Sequence, residues 1–431
     1  MNKPTLILQS PIFSRSGYGD HSRDILKSLR KMDKYDIKLV PMRWGNTPQN
    51  QVDANDEFGK WMLERVVNGS VTERPDIFIQ ISVANEFEPR GHYNIGITAG
   101  VETTICPKDF IDGCNKMNLI IVPSEFTKAV LATTTYHAKD NATGQIVNEF
   151  KIATPIVTLF EGVDVSIFSK GEPTDMLDSI PESFCFLVVG HWLKGDIGQD
   201  RKDIAMTIKT FATVFQHLPK DKRPALILKT SHAGFSVMDR EATRDKIDAV
   251  LKTIGGDCPS VYLLHGDLSE ADMASLYYHP KVKAMVSFTK GEGYGRPLAE
   301  FSLTGKPILV SGWSGQIDFL PADKTVLLEG QLTQVHESAA DQFCMKEAQW
   351  FTVNYSNAAN KLYDVYKNYA THSKNSSKLR ENTLNNFTLE KMHDKFSDIM
   401  NTYVKSAPKV VPFSLPKLNP SKIQLPKLES K

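Results

Sequence analysis

The sequence predicts an α/β protein with two domains, each built around a parallel β-sheet. Its 431 residues, 41% of them hydrophobic, are too many for one small core and indicate two domains. Short apolar runs of the strand type alternate with longer amphipathic runs, and this alternation starts again near residue 184. Strand–helix alternation that occurs twice is typical of two domains with parallel sheets.

The first half of the chain carries the first series of strands. Each is a continuous apolar run rather than a strict alternation, which is the pattern of parallel strands covered on both faces. A basic helix is predicted over 20–32, where Ile25, Leu26 and Leu29 have helical spacing. The predicted strands span 5–10, 38–42, 76–82, 93–98 and 118–124.

The second half repeats the pattern after a polar stretch, 171–183, that carries two prolines. Helices are predicted over 203–218 and 269–279, and beyond the last strand only helices are predicted, over 355–371 and about 388–405. The predicted strands span 184–190, 225–230, 261–266, 284–289, 307–312 and 325–330.

These features divide the chain into four parts. They are an N-terminal domain (1–175), a C-terminal domain (183–375), a C-terminal helical segment (376–405) and a tail (406–431). The tail has five prolines, and with Lys405 it has six lysines against one glutamate. Repeated proline forbids a helix, so we predict a disordered basic tail. Its repeated PKL either binds a protein partner or polyanion, or belongs to a solvated end without a partner.

Composition excludes several classes of protein. Lys+Arg is 51 and Asp+Glu is 50, a balance that does not demand a nucleic acid or membrane partner. The five cysteines are scattered and suggest neither a disulfide framework nor a metal site. The N-terminal apolar run is too short for a signal peptide, and no stretch approaches the roughly 18 apolar residues of a membrane span. We therefore expect a cytoplasmic protein.

The stretch GEGYGRPLAE, residues 291–300, is the main candidate site. It follows a predicted strand, and ligands of open α/β sheets bind beyond the carboxyl ends of strands. Glycines let backbone approach a ligand closely, and a helix starting near Pro297 would favour negative charge at its N-terminus. The alternative is an ordinary strand–helix turn in which Glu292 and Glu300 are a solvated pair and a dipole partner.

With its surroundings, this stretch resembles the retaining family-4 glycosyltransferases of the GT-B fold. Their Glu-x7-Glu motif stands here as EGYGRPLAEFSLTGKPIL, from Glu292 to Leu309. Other landmarks of the family occur in the same order, over roughly residues 1–370. They are EGVDVSIF (161–168), VVGHWLKGDIGQDRKDIAMTIKTF (188–211), VYLLHGDLSEADMASLYYH (261–279) and SGWSGQIDFL (311–320). The resemblance implies two Rossmann-like domains that face each other across a cleft, with the final helices crossing back onto the first domain.

The resemblance also implies roles for the motif residues. Glu300 would bind the ribose hydroxyls of a nucleotide-sugar donor. Glu292 would sit beside the transferred sugar as a catalytic residue, and the backbone N–H groups around Tyr294, Gly295 and Arg296 would hold that sugar. No cofactor is implied beyond the donor substrate. Such enzymes use basic side chains and helix dipoles in place of a metal, and the sequence has no Asp-x-Asp metal motif.

Cations and glycines elsewhere would bind the donor's diphosphate. Arg201 and Lys202 would neutralise the departing diphosphate, which is a large catalytic term; the alternative is a pair of exposed charges at a helix start. Gly17 and Gly19, in SRSGYG (14–19), would approach the phosphates or merely form a turn. Lys229 would be a further phosphate ligand or a solvated lysine.

Two positions depart from the family pattern. An arginine usually follows the glycine of the first strand of the second domain, but His191 follows Gly190 here. Lys194 would substitute for that arginine, while His191 is either a contact of the sugar or a packed loop residue. Where the family often has a histidine near the donor sugar, this chain has Glu102 and Thr103. Glu102 is therefore a candidate sugar or acceptor contact, or a helix N-terminal charge.

The resemblance implies glycosyl transfer with retention, and it leaves the acceptor open. One acceptor is a glycan or lipid-linked sugar of a bacterial envelope, which normally comes with a basic amphipathic helix such as 20–32. The other is hydroxymethylated cytosine in DNA, as in bacteriophage glycosyltransferases of the same fold class, with the basic tail as a tether. A non-catalytic nucleotide-sugar-binding or scaffold protein on a decayed glycosyltransferase is the alternative to an enzyme.

Overall fold

The computed structural model describes residues 3–67, 74–140, 142–232 and 234–404. Within these ranges the chain forms two six-stranded parallel sheets flanked by helices, with two small antiparallel pairs of strands. The α/β prediction with two parallel sheets is confirmed. The predicted tail, 406–431, lies outside the described residues.

The first sheet has the strand order β2-β1-β3-β4-β5-β8. In chain order the helices and strands of this half are β1 (Thr5–Ser10), α1 (Gly17–Met32), β2 (Asp36–Pro41), α2 (Glu57–Leu63), β3 (Ile77–Ile81), β4 (Tyr93–Ile97), α3 (Lys108–Cys114), β5 (Leu119–Val122), α4 (Glu125–Thr133), β6 (Tyr136–Lys139), β7 (Ile146–Phe150), β8 (Ile156–Thr158) and α5 (Val165–Phe168).

The second sheet has the order β11-β10-β9-β12-β13-β14. The elements of this half are β9 (Cys185–Val189), α6 (Ile204–Phe215), β10 (Ala225–Lys229), α7 (Val237–Ile254), β11 (Val261–Leu263), α8 (Glu270–Tyr278), β12 (Val282–Ser287), α9 (Arg296–Ser302), β13 (Ile308–Ser311), β14 (Val326–Leu328), β15 (Gly330–Gln334), β16 (Gln349–Val353), α10 (Tyr355–Lys367), α11 (Tyr369–Asn386) and α12 (Leu389–Tyr403).

The strand orders place a crevice at the carboxyl end of each sheet. In the first sheet the chain reverses its direction of travel between β1 and β3, and in the second between β9 and β12. Connections leave such neighbouring strands toward opposite faces, which opens a crevice where ligands bind. The loops that follow β1, β9 and β12 are therefore the ones placed to form a site.

The last helix joins the two halves. Met392, Phe396 and Met400 of α12 are buried in the same hydrophobic core as β1 and α1. Helix α12 therefore packs on the first domain, and it begins at Leu389 rather than at residue 376. Residues 376–386 belong to α11, which packs on α9 and buries Leu379 in a core of the second domain.

Helix α1 differs from the exposed basic helix that a membrane-associated acceptor would favour. Nine of its residues are buried, Arg23 among them, and its N-terminus is capped by the Ser16 hydroxyl. The basic residues at 23–34 contact acids or amides of the protein. These contacts are Arg23 with Asp20, Lys27 with Asp164, Arg30 with Glu57, Lys31 with Glu390 and Lys34 with Asn401.

Candidate functional site

The glycine loop 289–295 joins β12 to α9 at the mouth of the second crevice. Gly295 has φ +103°, a left-handed conformation that favours glycine, and it is the N-cap of α9. Tyr294 is 3% exposed, and its ring packs on Phe319. Among the described residues, the backbone N–H groups of Tyr294 and Gly295 have no acceptor. They are thus available to a ligand in the cleft.

Glu292 lies at the centre of a buried charge network. Its carboxylate accepts a hydrogen bond from Lys202 Nζ, and Arg201 Nη1 lies 3.5 Å from its Oε2. Arg201 and Lys202 retain only 19% and 17% side-chain exposure, so they are not solvated helix-start charges. Burial alone would raise the pKa of Glu292, but the two cations hold it below its ordinary value. Glu292 is therefore ionised at neutral pH.

Glu102 extends this network across the cleft. Arg201 Nε lies 2.9 Å from Glu102 Oε2, an ion pair that links the second domain to the first. Burial raises the pKa of Glu102, while Arg201 opposes that shift. The neighbouring Thr103 does not share this position. It is 2% exposed, its hydroxyl donates to the Ile105 carbonyl, and it does not line the cavity, so its predicted ligand contact stays a prediction.

Glu300 lies one helical turn into α9 and faces the cavity. Its Oε1 accepts from Arg296 Nε over 3.2 Å, and its Oε2 accepts from the Tyr277 hydroxyl over 3.2 Å. Burial raises the pKa of Glu300 to about 8, although Arg296 opposes the shift. A carboxyl with this pKa is largely protonated at neutral pH. A protonated carboxyl can donate one hydrogen bond as well as accept.

Arg296 makes a second link between the domains, through its side chain rather than its backbone. Its Nη1 donates to Asp24 Oδ2 over 2.7 Å and lies 3.9 Å from Glu161 Oε2. Burial raises the pKa of Glu161 to about 7. The partners Asp24 and Glu161 belong to the first domain and were not predicted from the sequence.

The two predicted glycines of the first-domain loop have different surroundings. A Cβ at Gly17 would meet nothing within 4 Å, and Gly17 lines the cavity, so a ligand can approach its backbone. A Cβ at Gly19 would collide with the Ser14 carbonyl. Gly19 therefore serves the packing of the turn and does not line the cavity, and its predicted donor contact stays a prediction.

Of the remaining predicted residues, Lys229 and His191 line the cavity and Lys194 does not. Lys229 lines the cavity and donates from Nζ to the Gly266 carbonyl over 2.6 Å. His191 also lines it, with Nδ1 3.2 Å from the Ser231 hydroxyl, and burial lowers the pKa of this imidazole. Lys194 is half-exposed and donates to the Ala340 carbonyl over 2.6 Å. Lys194 does not line the cavity, and its expected role as a substitute for the family arginine stays a prediction.

These residues surround a cavity of about 540 Å³ between the two domains. That volume lies in the range of small-molecule sites. Its described lining has more acidic than basic side chains. The acids are Asp20, Glu102, Glu161, Asp267, Glu270, Glu292 and Glu300, and the bases are Arg15, Arg201, Lys202, Lys229 and Arg296.

A fully buried ion pair supports the loop that carries Arg201 and Lys202. Lys290 Nζ lies 3.3 Å from Asp203 Oδ2, and their side chains are 1% and 0% exposed. The Tyr355 hydroxyl donates to the same carboxylate oxygen over 2.8 Å. The Lys290 N–H donates to the Arg201 carbonyl over 2.7 Å. This buried pair thus holds Arg201 in position beside Glu292. The sequence did not predict it.

No cluster of three or more metal-ligating side chains occurs in the described ranges. In the same part of the chain, no helix is long and apolar enough to span a membrane. The five cysteines are all free thiols.

Comparison with solved structures identifies the class of fold. The sucrose-phosphate synthase of Thermosynechococcus elongatus aligns with a TM-score of 0.62 and 13% identity over 94% of this chain and all of the other. A glycosyltransferase of Rickettsia africae aligns with a TM-score of 0.61, 13% identity and the same coverage. The two-domain GT-B fold of glycosyltransferases is thereby shown.

A third neighbour carries ligands. Anabaena HepE, solved in complex with UDP-glucose, aligns with a TM-score of 0.57 and 13% identity over 93% of this chain and all of the other. No protein-family model and no curated protein sequence matches the chain. The solved structures therefore assign this chain a fold.

Proposed function

We propose that this protein is a glycosyltransferase that moves a sugar from a nucleotide-sugar donor to a hydroxyl acceptor. The observation that carries the proposal is the position of Glu292 and Glu300 on either side of a glycine loop at the second-domain crevice, with Arg201 and Lys202 against Glu292. The GT-B fold and the UDP-glucose bound by Anabaena HepE support it.

The donor's diphosphate would take over cations of the cleft that are paired with carboxylates. Arg201 and Lys202 contact Glu102 and Glu292, and Lys229 lies in the same cavity. Bond cleavage leaves extra negative charge on the phosphate, and preorganised cations stabilise such charge strongly in a site that excludes water. These side chains would supply this stabilisation without a metal ion.

The carboxylates would hold the donor through hydroxyl groups. Glu300 would bind the ribose, and the protonated form of its carboxyl allows it both to donate and to accept hydrogen bonds. Glu292, kept ionised by its cations, would accept from hydroxyls of the transferred sugar. The backbone N–H groups of Tyr294 and Gly295, which have no acceptor among the described residues, would hold the same sugar.

We further propose retention of configuration, by attack of the acceptor on the face that the diphosphate leaves. The acceptor hydroxyl bonds to the anomeric carbon, the bond from that carbon to the phosphate oxygen breaks, and the proton passes to the leaving phosphate. No separate general base is then required. Contact between the domains, as between Glu102 and Arg201, would exclude water from this step.

A thermal-shift screen with UDP-, GDP- and ADP-sugars, without added metal and with EDTA, tests donor binding. A ligand of the folded state raises the melting temperature by mass action. We expect one nucleotide sugar to raise it, Glu300→Ala to abolish the shift, and Glu381→Ala to retain it. Glu381 is an exposed carboxylate on α11 and serves as the matched control.

Turnover separates an enzyme from a binding or scaffold protein. Glu292→Gln should retain a donor shift and lose sugar transfer, and NMR of the product's anomeric proton reads the stereochemistry. A protein that binds the donor but releases no nucleoside diphosphate with any acceptor would favour the non-catalytic alternative. Loss of every donor shift in the unmodified protein would refute the proposed function.

A further inference from the structure

Two aromatic rings form a stacked pair on the first-domain wall of the cleft. The ring centroids of Tyr18 and Trp44 lie 4.2 Å apart, with an angle of 28° between the planes. Both residues line the cavity, together with Thr47 and Gln51. Trp44 is only partly buried, so the cavity has access to its indole. The proposed donor contacts do not use this pair.

The loop that carries Trp44 is held in place without a ligand. The Arg15 N–H donates to the Pro48 carbonyl over 2.9 Å, and the Gln51 N–H donates to the Phe13 carbonyl over 3.2 Å. These hydrogen bonds tie the loop to the segment after β1. A ring fixed before binding costs less conformational entropy when a ligand packs on it.

The Tyr18 hydroxyl connects the aromatic pair to the glycine loop. It accepts from the Ala99 N–H over 2.9 Å and lies 3.2 Å from the Thr98 hydroxyl. The Ala99 carbonyl packs so closely on Gly293 that a Cβ at this glycine would collide with it. Gly293 follows Glu292 directly. The aromatic pair therefore lies beside the segment proposed to hold the transferred sugar.

The charges around the pair restrict what it can receive. The cavity lining has seven carboxylates and five basic side chains. Four of these cations already contact carboxylates: Arg15 with Asp267, Arg201 with Glu102, Lys202 with Glu292 and Arg296 with Asp24. An aromatic ring can stack on a nucleobase, but a nucleic acid also needs cations for its phosphates. A neutral ring has no such requirement.

We infer that Trp44 and Tyr18 form the acceptor subsite, and that the acceptor is a neutral carbohydrate. The apolar C–H face of a sugar ring packs on the indole, and Gln51 and Thr47 hydrogen-bond its hydroxyls. The inference rests on the proposed function and names the acceptor class that it needs. It selects the glycan over hydroxymethylated DNA.

The test uses the donor identified by thermal shift and measures nucleoside diphosphate release. Neutral glycosides and oligosaccharides form one arm, and hydroxymethylated DNA forms the other. We expect neutral glycosides to stimulate release above the donor's own hydrolysis, and DNA to have no effect. Trp44→Ala should lower kcat/KM for the acceptor about tenfold, mainly by raising KM, and leave the donor-induced melting shift unchanged.

Two further variants separate this role from general damage. Trp44→Phe keeps an aromatic face and should recover most of the acceptor kcat/KM. Tyr363→Ala removes a partly exposed aromatic ring on α10, outside the cavity lining, and should change neither donor nor acceptor constants. An unchanged acceptor KM in Trp44→Ala would overturn the inference.

Two further outcomes separate failure of the carbohydrate assignment from failure of the proposed function. Stimulation by DNA, or a donor shift without a response to any neutral glycoside, overturns the carbohydrate assignment. Absence of a donor shift refutes the proposed function instead. Tryptophan fluorescence then tests the subsite by itself. A saturable change with neutral glycosides that disappears in Trp44→Phe supports the subsite, and no change overturns it.

Discussion

Replacement of Lys290 by methionine tests the buried anchor beneath Arg201. The change removes the cation from Asp203 and leaves that carboxylate buried with the Tyr355 hydroxyl. Removing one partner of a buried ion pair typically costs about 3–5 kcal/mol, because the other charge remains without compensation. At pH 8 the Asp203 carboxyl of the variant avoids much of that cost by keeping its proton, so we expect a loss of about 2–3 kcal/mol.

The loss should depend on pH in a defined direction. Burial raises the pKa of Asp203 to about 7 even with Lys290 present, and removal of the cation raises it further. A carboxyl with a raised folded-state pKa contributes stability below its unfolded pKa, and this contribution is lost as the pH rises through the folded pKa. At pH 5 the carboxyl of the variant is protonated, and only about 1 kcal/mol of hydrogen bonding is lost.

Urea denaturation at pH 5 and pH 8, with thermal melting in parallel, measures both effects. For a domain of this size, the loss at pH 8 corresponds to a fall in melting temperature of about 4–12 °C. Adding Asp203→Asn to Lys290→Met should recover most of the stability at pH 8. A loss that is equal at both pH values, or that persists in the double variant, would refute the reasoning.

Three further predictions concern the cleft. Gly19→Ala should lower the free energy of unfolding by about 1–3 kcal/mol in urea denaturation, because its methyl group meets the Ser14 carbonyl. Gly17→Ala should keep stability and weaken donor binding. Equal stability of the two variants would contradict this prediction. Relative to the unmodified protein, Glu300→Gln should become more stable as the pH rises from about 5 to 9. The glutamine stays neutral, whereas the carboxyl, with its pKa of about 8 in the folded protein, must ionise. Melting temperatures that change in parallel across this range would count against the prediction. Glu102→Gln should raise donor affinity in calorimetry, because it releases Arg201 for the diphosphate; a fall in affinity would show that Glu102 contacts the donor.

The sequence was informative where a local rule determines the structure. Continuous apolar runs identified all strands of the two sheets except β8, because parallel strands are buried on both faces, whereas the three residues of β8 are only partly buried. The glycine loop could be located because Gly295 needs a left-handed conformation and precedes a helix with proline in its first turn. The polar helix α11 was not predicted, since only three of its eighteen residues are buried. The β6–β7 hairpin was missed because most of its residues are exposed.

The partners of the candidate residues could not be read from the sequence. Asp24 and Arg296 are 272 positions apart, and Lys290 and Asp203 are 87 apart. Such pairs depend on how two domains and their loops meet, and no local spacing reports this. For the same reason the sequence did not distinguish Gly17 from Gly19, two residues of one turn with opposite surroundings.

The ion pairs that cross the cleft have a consequence for how the protein would respond to its donor. Arg201 meets Glu102, Arg296 meets Asp24 and Arg15 meets Asp267 across the two domains. The carboxylates act as internal competitors for the charge of a diphosphate. A donor that binds Arg201 must break one of these interdomain ion pairs. Donor binding and domain separation are therefore coupled, so a change in the free energy of one changes the free energy of the other. Added salt weakens the attraction of the arginines both to the diphosphate and to the carboxylates. It should therefore alter donor affinity less than the donor's charge alone would suggest.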